Sequence, residues 1–340
     1  MTMIDHSQWG QSLILEQLVS TDVPPILVDI GAHDGICGSN SRAFLERGWE
    51  GLLVEPLPTV FAVLRENCAN LRKTVCRQAA CSDRSGRATL RIGKDGPLGQ
   101  MSSLSPDSQI APNLSPDTVE VDTLTLSDLL TQHAIPHVFG ILLVDAEGWD
   151  LVVLRGLTEC NSRPEIIVTE DYEGSRLERD KFLAELGYTN AGSWGSDSIW
   201  VVPRLIEKIG GLHYPVHSVA ALPFAPASQS GHACYDANAS GHALGECWRL
   251  AGWAWTELNT SPPPKIIVTL RSQGSEQIRH FQAWRTPRPD VVQVFESPSL
   301  LYSGFRAYVD VPQGRYAVSV TQVESEIYTT ELGEIDIGRS

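Results

Sequence analysis

Residues 26–35 constrain the fold of this chain more than any other stretch. They read Ile-Leu-Val-Asp-Ile-Gly-Ala-His-Asp-Gly, so an apolar run ends in an acid and a turn of small residues follows at once. A helix is predicted to begin near Asn40. In a parallel α/β sheet, a strand followed by such a turn presents a nucleotide site at its carboxyl end. The segment therefore predicts an α/β domain with a nucleotide-binding turn after its first strand.

A second apolar run, residues 51–54, also ends in an acid, Glu55. An acid at this point of a neighbouring strand would hold the two hydroxyl groups of a ribose. Together with the turn, it indicates an adenosyl-type cofactor. A purely structural turn and a capping or surface glutamate are the competing interpretations.

The glycine spacing separates two classes of cofactor. A dinucleotide site requires Gly-x-Gly-x-x-Gly, because its second glycine lets the backbone approach the pyrophosphate. Here Gly31 is followed by Ala32 and His33, and an imidazole at that point would block a phosphate. Asp29 and Gly31 fit instead an Asp-x-Gly turn that meets an amino-acid moiety, as in enzymes that use S-adenosylmethionine. The spacing favours that cofactor over a nicotinamide dinucleotide.

Composition argues against several functional classes. The chain has 340 residues, 42% of them apolar, and a net charge of −15. This acidity argues against nucleic acid or an anionic membrane as a partner, and no apolar run approaches the roughly 18 residues of a membrane span. The N-terminus shows no secretory signal. The seven cysteines are scattered and contain no Cys-x-x-Cys pair, which favours reduced thiols in a cytoplasmic protein.

The change of pattern along the chain predicts two domains. Residues 1–205 alternate strand and helix signals, as in a mostly parallel sheet with helices on both faces. Within them, residues 93–118 are rich in Gly, Pro and Ser and are expected to form a loop that covers the acceptor. Residues 206–245 are interpreted as an irregular linker. Residues 246–340 predict a small antiparallel β-sandwich, with the tryptophans of residues 248–255 in its core rather than stacked on a sugar.

The predicted elements of the first domain can be stated by residue number. Strands are expected near 26–30, 51–55, 74–80, 87–92, 140–144, 165–169 and 197–202, the last at the edge of the sheet. Helices are expected near 7–19, 40–48, 58–71, 126–134, 149–155 and 175–186.

Six ordered blocks within residues 24–202 resemble the FkbM family of S-adenosylmethionine-dependent methyltransferases. They include Val-Asp-Ile-Gly-Ala-His-Asp-Gly at 28–35, followed by Ser-Asn-Ser at 39–41, and Gly-Trp-Glu-Gly-Leu-Leu-Val-Glu-Pro at 48–56. Another block, residues 142–156, contains Asp-Ala-Glu-Gly at 145–148. The remaining blocks lie at 79–86, 121–130 and 164–170. The chain departs from the family at His33, where many relatives have asparagine or another small polar residue, and at Ala146, which is often β-branched.

The resemblance implies a Rossmann-like class I methyltransferase domain with a seven-stranded sheet, and transfer of a methyl group to oxygen. It implies that Asp29, Gly31 and Gly35 line the methionine end of S-adenosylmethionine, and that Glu55 takes the ribose hydroxyls. The adenine would be bordered by Ala80, Cys81 and Ser82, and the transferring methyl would lie near Asp145. The expected cofactor-contacting set is completed by Ala32, His33, Asn40 and Pro56.

Strand-end acids are the candidates for chemistry. A neutral hydroxyl is a poor nucleophile, so a base or a metal ion is expected near the methyl group. We expect Asp145 to be the base, with His33 as the second candidate and Glu147 orienting the acceptor. Asp145, Glu170 and Asp171 also offer the carboxylates that Mg²⁺ prefers. The alternative is that Asp145 and Glu147, which follow the strand near 140–144, only hold the start of the next helix and the substrate loop.

Three functions compete at this point. The first is O-methylation of a hydroxyl on a small molecule, sugar, glycan or secondary metabolite. The second is a nicotinamide-dependent oxidoreductase, and the third is a glycan-binding or scaffold protein without catalysis. The sequence does not identify the acceptor, and it leaves a homo-oligomer open.

Overall fold

The computed structural model describes residues 4–94, 101–105, 111–160, 162–170, 174–194, 196–210, 212, 218–219, 232–235, 240–241, 247–255, 265–274, 277–323 and 327–337. The chain divides into two compact units. The N-terminal unit is Leu15–Gly211, and the C-terminal unit combines Met1–Ile14 with Leu212–Ser340. The sequence places residues 1–14 in the first domain, whereas the structure groups them with the last part of the chain.

Strands and α-helices alternate up to residue 211 except at residues 74–125 and 189–201, where strands follow one another. The strands are β1 (Ile26–Ile30), β2 (Glu50–Val54), β3 (Thr74–Arg77), β4 (Ala80–Ser82), β5 (Gly86–Gly93), β6 (Leu114–Thr125), β7 (Val138–Val144), β8 (Arg163–Glu170), β9 (Thr189–Trp194) and β10 (Asp197–Val201). The helices are α1 (Gln11–Leu18), α2 (Arg42–Leu45), α3 (Pro58–Cys68), α4 (Leu126–Gln132), α5 (Asp150–Arg155), α6 (Arg176–Glu185) and α7 (Ile206–Ile209).

Seven of these strands form one sheet with the order β3-β2-β1-β7-β8-β10-β9. The pairs from β3 to β8 are parallel, while β10 runs antiparallel to both of its neighbours. Apolar side chains such as Val28, Leu142 and Ile167 are buried on the sheet, as the continuous apolar runs of a doubly covered parallel sheet require. The predicted Rossmann-like, mostly parallel sheet is therefore confirmed.

The strand register brings the candidate residues to one edge of this sheet. Ile30 lies opposite both Val54 and Val144, and Val144 lies opposite Thr169. Strands β1, β2, β7 and β8 therefore end side by side, at what we call the carboxyl edge.

Two predicted strands differ from the structure. The third one splits: β3 stays in the large sheet, while β4 pairs with β6 in a three-stranded sheet of order β4-β6-β5. This small sheet has its own apolar cluster, which includes Leu57, Leu90 and Val121. The last strand, β10, is an interior strand, because the unanticipated β9 pairs with it and forms the edge.

The loop expected at residues 93–118 is shorter than predicted. A 3-10 turn at Ala111–Asn113 and the start of β6 at Leu114 take up its last part. Residues 101–105 are described and lie against β5 through a bridge between Arg91 and Ser103. Residues 95–100 and 106–110 lie outside the described part of the chain, and the covering role of this loop stays a prediction.

The C-terminal unit is built on one antiparallel sheet. Its elements are β11 (Ser218–Val219), β12 (His232–Tyr235), β13 (Ser240–Gly241), β14 (Trp248–Trp255), β15 (Lys265–Ser272), β16 (Ile278–Thr286), α8 (Pro289–Phe295), β17 (Gly304–Val309), β18 (Gly314–Val323) and β19 (Ile327–Ile337). The main order is β12-β14-β17-β16-β15-β18-β19, with β11 beside β16 and β13 beside β14. One face carries a core that includes Val268, Phe281, Ala307 and Val320. The antiparallel sheet is confirmed, and its two-layer sandwich form stays a prediction.

The other face of this sheet differs from expectation in two ways. Trp248 packs against the core, but Trp253 and Trp255 lie on the opposite face, where the ring of Phe295 contacts both at centroid distances of 5.8 and 5.7 Å. The sequence Val-Val-Gln-Val-Phe at residues 291–295 is typical of a strand, but these residues belong to helix α8. A proline at the first helical position, Pro289, favours that helix start.

Residues 4–12 form part of the same unit. Asp5 accepts hydrogen bonds from Ser7 and Ser12 and forms a buried ion pair with Arg306 of β17. Arg306 also donates to the carbonyl groups of Ser7 and Gln8. Among the helices of the described residues, none is both long and apolar enough to cross a bilayer.

Candidate functional site

The turn after β1 is fitted tightly between its neighbours. The N–H groups of Gly31 and Ala32 both donate to the carbonyl oxygen of Val54, at 2.9 and 3.0 Å. Gly31 has φ +85°, and a Cβ atom there would lie 1.8 Å from the carbonyl oxygen of Asp145. Gly35 has φ +71°, and its Cβ would meet the side chain of Leu64 at 2.6 Å. Both glycines are therefore required by backbone conformation and by close packing.

His33 occupies an unusual backbone conformation within this turn. Its φ of 50° lies in the left-handed region, which costs a non-glycine residue about 1–2 kcal/mol. Its N–H donates to Glu55 Oε2 at 3.2 Å, and its Nδ1 lies 3.8 Å from Asp34 Oδ1. Such strain is characteristic of functional sites.

Asp29 and Glu55 are buried acids at the ends of adjacent strands. Their exposed fractions are 7% and 6%, and within the described residues neither forms an ion pair with a lysine or arginine. Burial raises the pKa of Asp29 to about 6, against a smaller opposing hydrogen bond from Ser41. Burial also raises the pKa of Glu55 to about 7, although its Oε1 accepts the N–H of Leu57 at 2.8 Å. Two buried carboxyl groups that have no lysine or arginine partner among the described residues fit a ligand that brings hydroxyl or ammonium donors.

Other polar residues shape this side of the carboxyl edge. Asn40 donates from Nδ2 to Asp197 Oδ2 at 3.0 Å, which links the segment after β1 to the start of β10. Asp34 accepts the N–H groups of Ile36 and Cys37, each at 2.8 Å, and closes the turn.

The segment from Asp145 to Trp149 is a second tight turn, held from within by Asp150. The Asp150 carboxylate is buried and accepts hydrogen bonds from the N–H groups of Ala146 and Gly148 and from the hydroxyl of Thr169, at 3.4, 3.1 and 3.3 Å. Glu147 has φ 49° and Gly148 has φ 79°. The turn therefore presents Asp145 and Glu147 at the carboxyl edge in a fixed arrangement.

Three carboxylates meet beyond this turn. Asp145, Glu147 and Glu170 each offer an oxygen within 4.8 Å of the other two. Asp145 is exposed, but partial loss of hydration beside neighbouring protein atoms, with the negative charges of Asp150 and Asp29, raises the pKa of its carboxyl group. Asp171, the other acid considered for a metal ion, lies outside the described residues. Among the described residues, the structure groups Glu147 with Asp145 and Glu170.

The segment expected to border an adenine is the short strand β4. Ala80, Cys81 and Ser82 are all buried, and Ser82 Oγ accepts the indole N–H of Trp149 at 3.2 Å. Burial raises the pKa of Cys81 to about 12, so its thiol stays protonated near neutral pH. The hydrogen bond from Trp149 to Ser82 connects β4 to the turn that carries Asp145. Pro56 is half-buried directly after Glu55.

The sequence located most of this arrangement but missed three residues. Asp150 follows the Asp-Ala-Glu-Gly block directly, and an acid in the first turn of a helix is a recognisable signal. Asp197 and Ser103 reach the site through tertiary contacts, and local sequence carries no signal for either.

Part of the chain is similar to a known protein family. Residues 29–189 match the family model described as Methyltransferase FkbM domain. No protein of curated function is similar enough in sequence to be matched with this chain.

Among solved structures, the chain is similar to an O-methyltransferase from Bacillus cereus in complex with SAH, with 14% identity, TM-score 0.32, and coverage of 56% of this chain and 78% of that one. It is also similar to an RNA methyltransferase from Salinibacter ruber in complex with S-adenosyl-L-homocysteine, with 15% identity, TM-score 0.29, and coverage of 56% and 86%. A third similar structure is precorrin-6y C5,15-methyltransferase from Geobacter metallireducens GS-15, with 11% identity, TM-score 0.31, and coverage of 81% and 88%.

Proposed function

Residues 29–189 form an FkbM methyltransferase domain, and from this premise we propose that the protein transfers a methyl group from S-adenosylmethionine to a hydroxyl group of a sugar, glycan or secondary metabolite. The observation that carries the proposal is the pair of buried carboxyl groups, Asp29 and Glu55, at the ends of adjacent parallel strands. Both border a turn whose glycines permit a close backbone approach.

The donor set of the site fits this cofactor. Glu55, with one oxygen bound to the N–H of His33 and the other to that of Leu57, keeps further lone pairs for two ribose hydroxyls. Asp29 and the turn at Gly31 and Gly35 would receive the methionine end, with Ala32, His33 and Asn40 around it. Pro56 and the β4 residues Ala80, Cys81 and Ser82 would border the adenine.

The chemistry requires alignment and removal of one proton. The bound sulfonium supplies an electrophilic methyl group, which an oxygen must approach in line with the carbon–sulfur bond. We assign the base to Asp145, because it belongs to the acidic cluster at the carboxyl edge and its carbonyl oxygen packs against Gly31 of the proposed cofactor turn. Holding the reacting groups in line supplies several kcal/mol of barrier reduction, and a positioned base contributes about 10²–10⁴-fold. Glu147 would orient the acceptor, and His33 is the alternative base.

The charge of the site supports an uncharged, hydroxyl-rich acceptor. Asp145, Glu147 and Glu170 lie together at the carboxyl edge. Asp197 of β10 lies directly opposite Glu170 of β8 in the strand register. Carboxylates accept hydrogen bonds from hydroxyl groups but repel phosphate or carboxylate groups.

The same three carboxylates offer an alternative to a base. Oxygen ligands of this kind suit Mg²⁺, which would lower the pKa of the acceptor hydroxyl while Asp145 served as a ligand. The ligands would then be Asp145, Glu147 and Glu170.

A set of variants tests the proposal at Asp145. With an acceptor found by screening hydroxyl compounds with labelled methyl donor, Asp145→Asn should cut turnover by about 10²-fold or more while sparing cofactor affinity. Asp122→Asn, an exposed acid on β6, is the control and should keep wild-type turnover. Loss of activity in EDTA with recovery in Mg²⁺ would make Asp145 a metal ligand.

Other outcomes would contradict these assignments. Near-normal turnover in Asp145→Asn, with collapse in His33→Ala at unchanged cofactor affinity, would move the base to His33. Stabilisation by a nicotinamide dinucleotide but not by S-adenosylmethionine would favour an oxidoreductase. Cofactor binding with no transfer to any acceptor would favour a binding or scaffold protein.

A further inference from the structure

We propose that Ser103 is a positioning residue for methyl transfer, because its hydroxyl fixes the backbone of Glu147 and so the direction of the Asp145 and Glu147 carboxylates. The proposal rests on the function proposed above, since it concerns the same acidic turn. It adds a residue that lies 42 positions before Asp145 in the chain and belongs to the segment between β5 and β6.

Ser103 is itself held firmly. Its exposed fraction is 1%. Its N–H donates to the carbonyl of Arg91 at 3.0 Å, and its carbonyl accepts the N–H of Arg91 at 3.1 Å, so its backbone is paired to β5. Its side chain therefore projects from a fixed point rather than from a loose loop.

The hydroxyl of Ser103 is used in two directions. Oγ donates to the carbonyl oxygen of Glu147 at 2.7 Å and accepts the N–H of Ser105 at 2.9 Å. A hydroxyl has one donor and can accept as well, so this geometry uses both capacities. The donor is committed to the turn that carries the proposed base.

The bond falls on the strained part of that turn. Glu147 has φ 49°, a conformation that costs a residue with a Cβ about 1–2 kcal/mol. Asp150 holds the turn from one side, through the N–H groups of Ala146 and Gly148. Ser103 binds the carbonyl oxygen of Glu147 on the other side. The peptide between Glu147 and Gly148 is therefore hydrogen-bonded at its carbonyl by Ser103 and at its N–H by Asp150.

Loss of the hydroxyl should release this peptide. Glu147 could then move toward a relaxed φ, and the carboxylates of Asp145 and Glu147 would turn with it. A displacement of about 1 Å at a reacting group can reduce a rate about 10²-fold. The cofactor turn at residues 29–35 contains no bond to Ser103 among those described, so cofactor affinity should change little.

The test compares Ser103→Ala with a control in the same segment. Ser102→Ala is the matched control. Ser102 Oγ accepts the N–H of Gly93 at 2.9 Å, so this substitution also removes one hydroxyl hydrogen bond between the same segment and β5. Ser103→Thr keeps the hydroxyl and should restore function. If the alanine variant does not fold, Ser103→Cys replaces it, since a thiol is only a weak donor.

Two readouts are needed on the full-length protein. Amide hydrogen exchange at Gly148 and Trp149 should be faster in Ser103→Ala than in the wild type and in Ser102→Ala. With S-adenosylmethionine as the probe, its dissociation constant should stay within about twofold, while kcat falls about tenfold or more, as expected of misplaced reacting groups.

The outcomes separate the two proposals. Unchanged exchange at Gly148 and Trp149 in Ser103→Ala, or the same changes in Ser102→Ala, would overturn the role of Ser103. If the wild-type protein binds the cofactor but transfers no methyl group, the proposed function fails, while the exchange comparison still decides whether Ser103 holds the turn.

Discussion

At the scale of single residues, Glu55 gives the most direct test of the cofactor site. Glu55→Gln keeps the shape of the side chain but removes the charge, and should weaken S-adenosylmethionine binding by about 1.5–3 kcal/mol, the value of a charge-assisted pair of hydrogen bonds. Calorimetric titration would measure this. Glu50→Gln is the control, because Glu50 lies on the same strand and is exposed beside Lys73. Unchanged affinity in Glu55→Gln would mean that the ribose lies elsewhere.

Gly31 tests the packing that brings β1 and β7 together. A Cβ at Gly31 would lie 1.8 Å from the carbonyl oxygen of Asp145, whereas at Gly48, which has a similar φ of +89°, it would meet nothing within 4 Å. Gly48→Ala should therefore cost only the left-handed conformation, about 1–2 kcal/mol. Gly31→Ala should cost more in the free energy of unfolding, measured in urea. Equal losses in both variants would show that the strand ends can move apart.

At the scale of elements, the sequence predicted what depends on local pattern. The strands β1, β2, β7 and β8 were predicted within two or three residues, because continuous apolar runs end at acids or glycines. The residues at their ends follow from the rule that parallel strands present their carboxyl ends together.

What the sequence could not predict depends on contacts between distant segments. β9 has the sequence Thr-Asn-Ala-Gly-Ser-Trp, without the apolar run of a central strand, and only its pairing with β10 makes it a strand. Residues 291–295 are rich in the β-branched and aromatic residues of a strand, but Pro289 starts a helix there. Asp197 and Ser103 reach the carboxyl edge only through the register of β10 and the bridge to β5.

At the scale of the whole molecule, the buried acids predict how stability depends on pH. The pKa values of Asp29 and Asp150 rise from 3.8 to about 6, and that of Glu55 rises from 4.5 to about 7. The folded chain therefore binds more protons than the unfolded chain between about pH 4 and 7, so the free energy of unfolding should fall across that window as pH rises. Thermal unfolding of the cofactor-free protein at pH 5.5 and pH 8 would measure this.

A variant assigns part of that effect to one residue. A pKa difference of one corresponds to about 1.4 kcal/mol. Glu55→Gln removes the cost of burying a charged carboxylate, so at pH 8 the variant should be more stable than the wild type by up to roughly 3 kcal/mol. The gain should vanish near pH 4, where the wild-type carboxyl group is protonated in both states. A constant difference between the two proteins at all pH values would contradict the raised pKa.

The separation into two units gives a prediction about fragments. We propose that the N-terminal unit folds and binds the cofactor without residues 212–340. A fragment of residues 1–211 should show a thermal shift with S-adenosylmethionine, about 2.7 kcal/mol at a hundred times the dissociation constant. A fragment ending at residue 205 should be less stable, because it lacks Lys208, whose ammonium group donates to the carbonyls of Leu18 and Val19 at 2.9 Å. A folded 1–211 fragment without any shift would refute the separation.

The ion pair between Asp5 and Arg306 also bears on how the protein is made. Asp5 leaves the ribosome well before Arg306, which is synthesised 301 residues later. At about 5–20 residues per second, this delay is roughly 15–60 s. Asp5 therefore lacks this partner while the intervening segment is translated. Completion of the C-terminal unit is thus a late event, because it joins two segments that lie 301 residues apart in the chain.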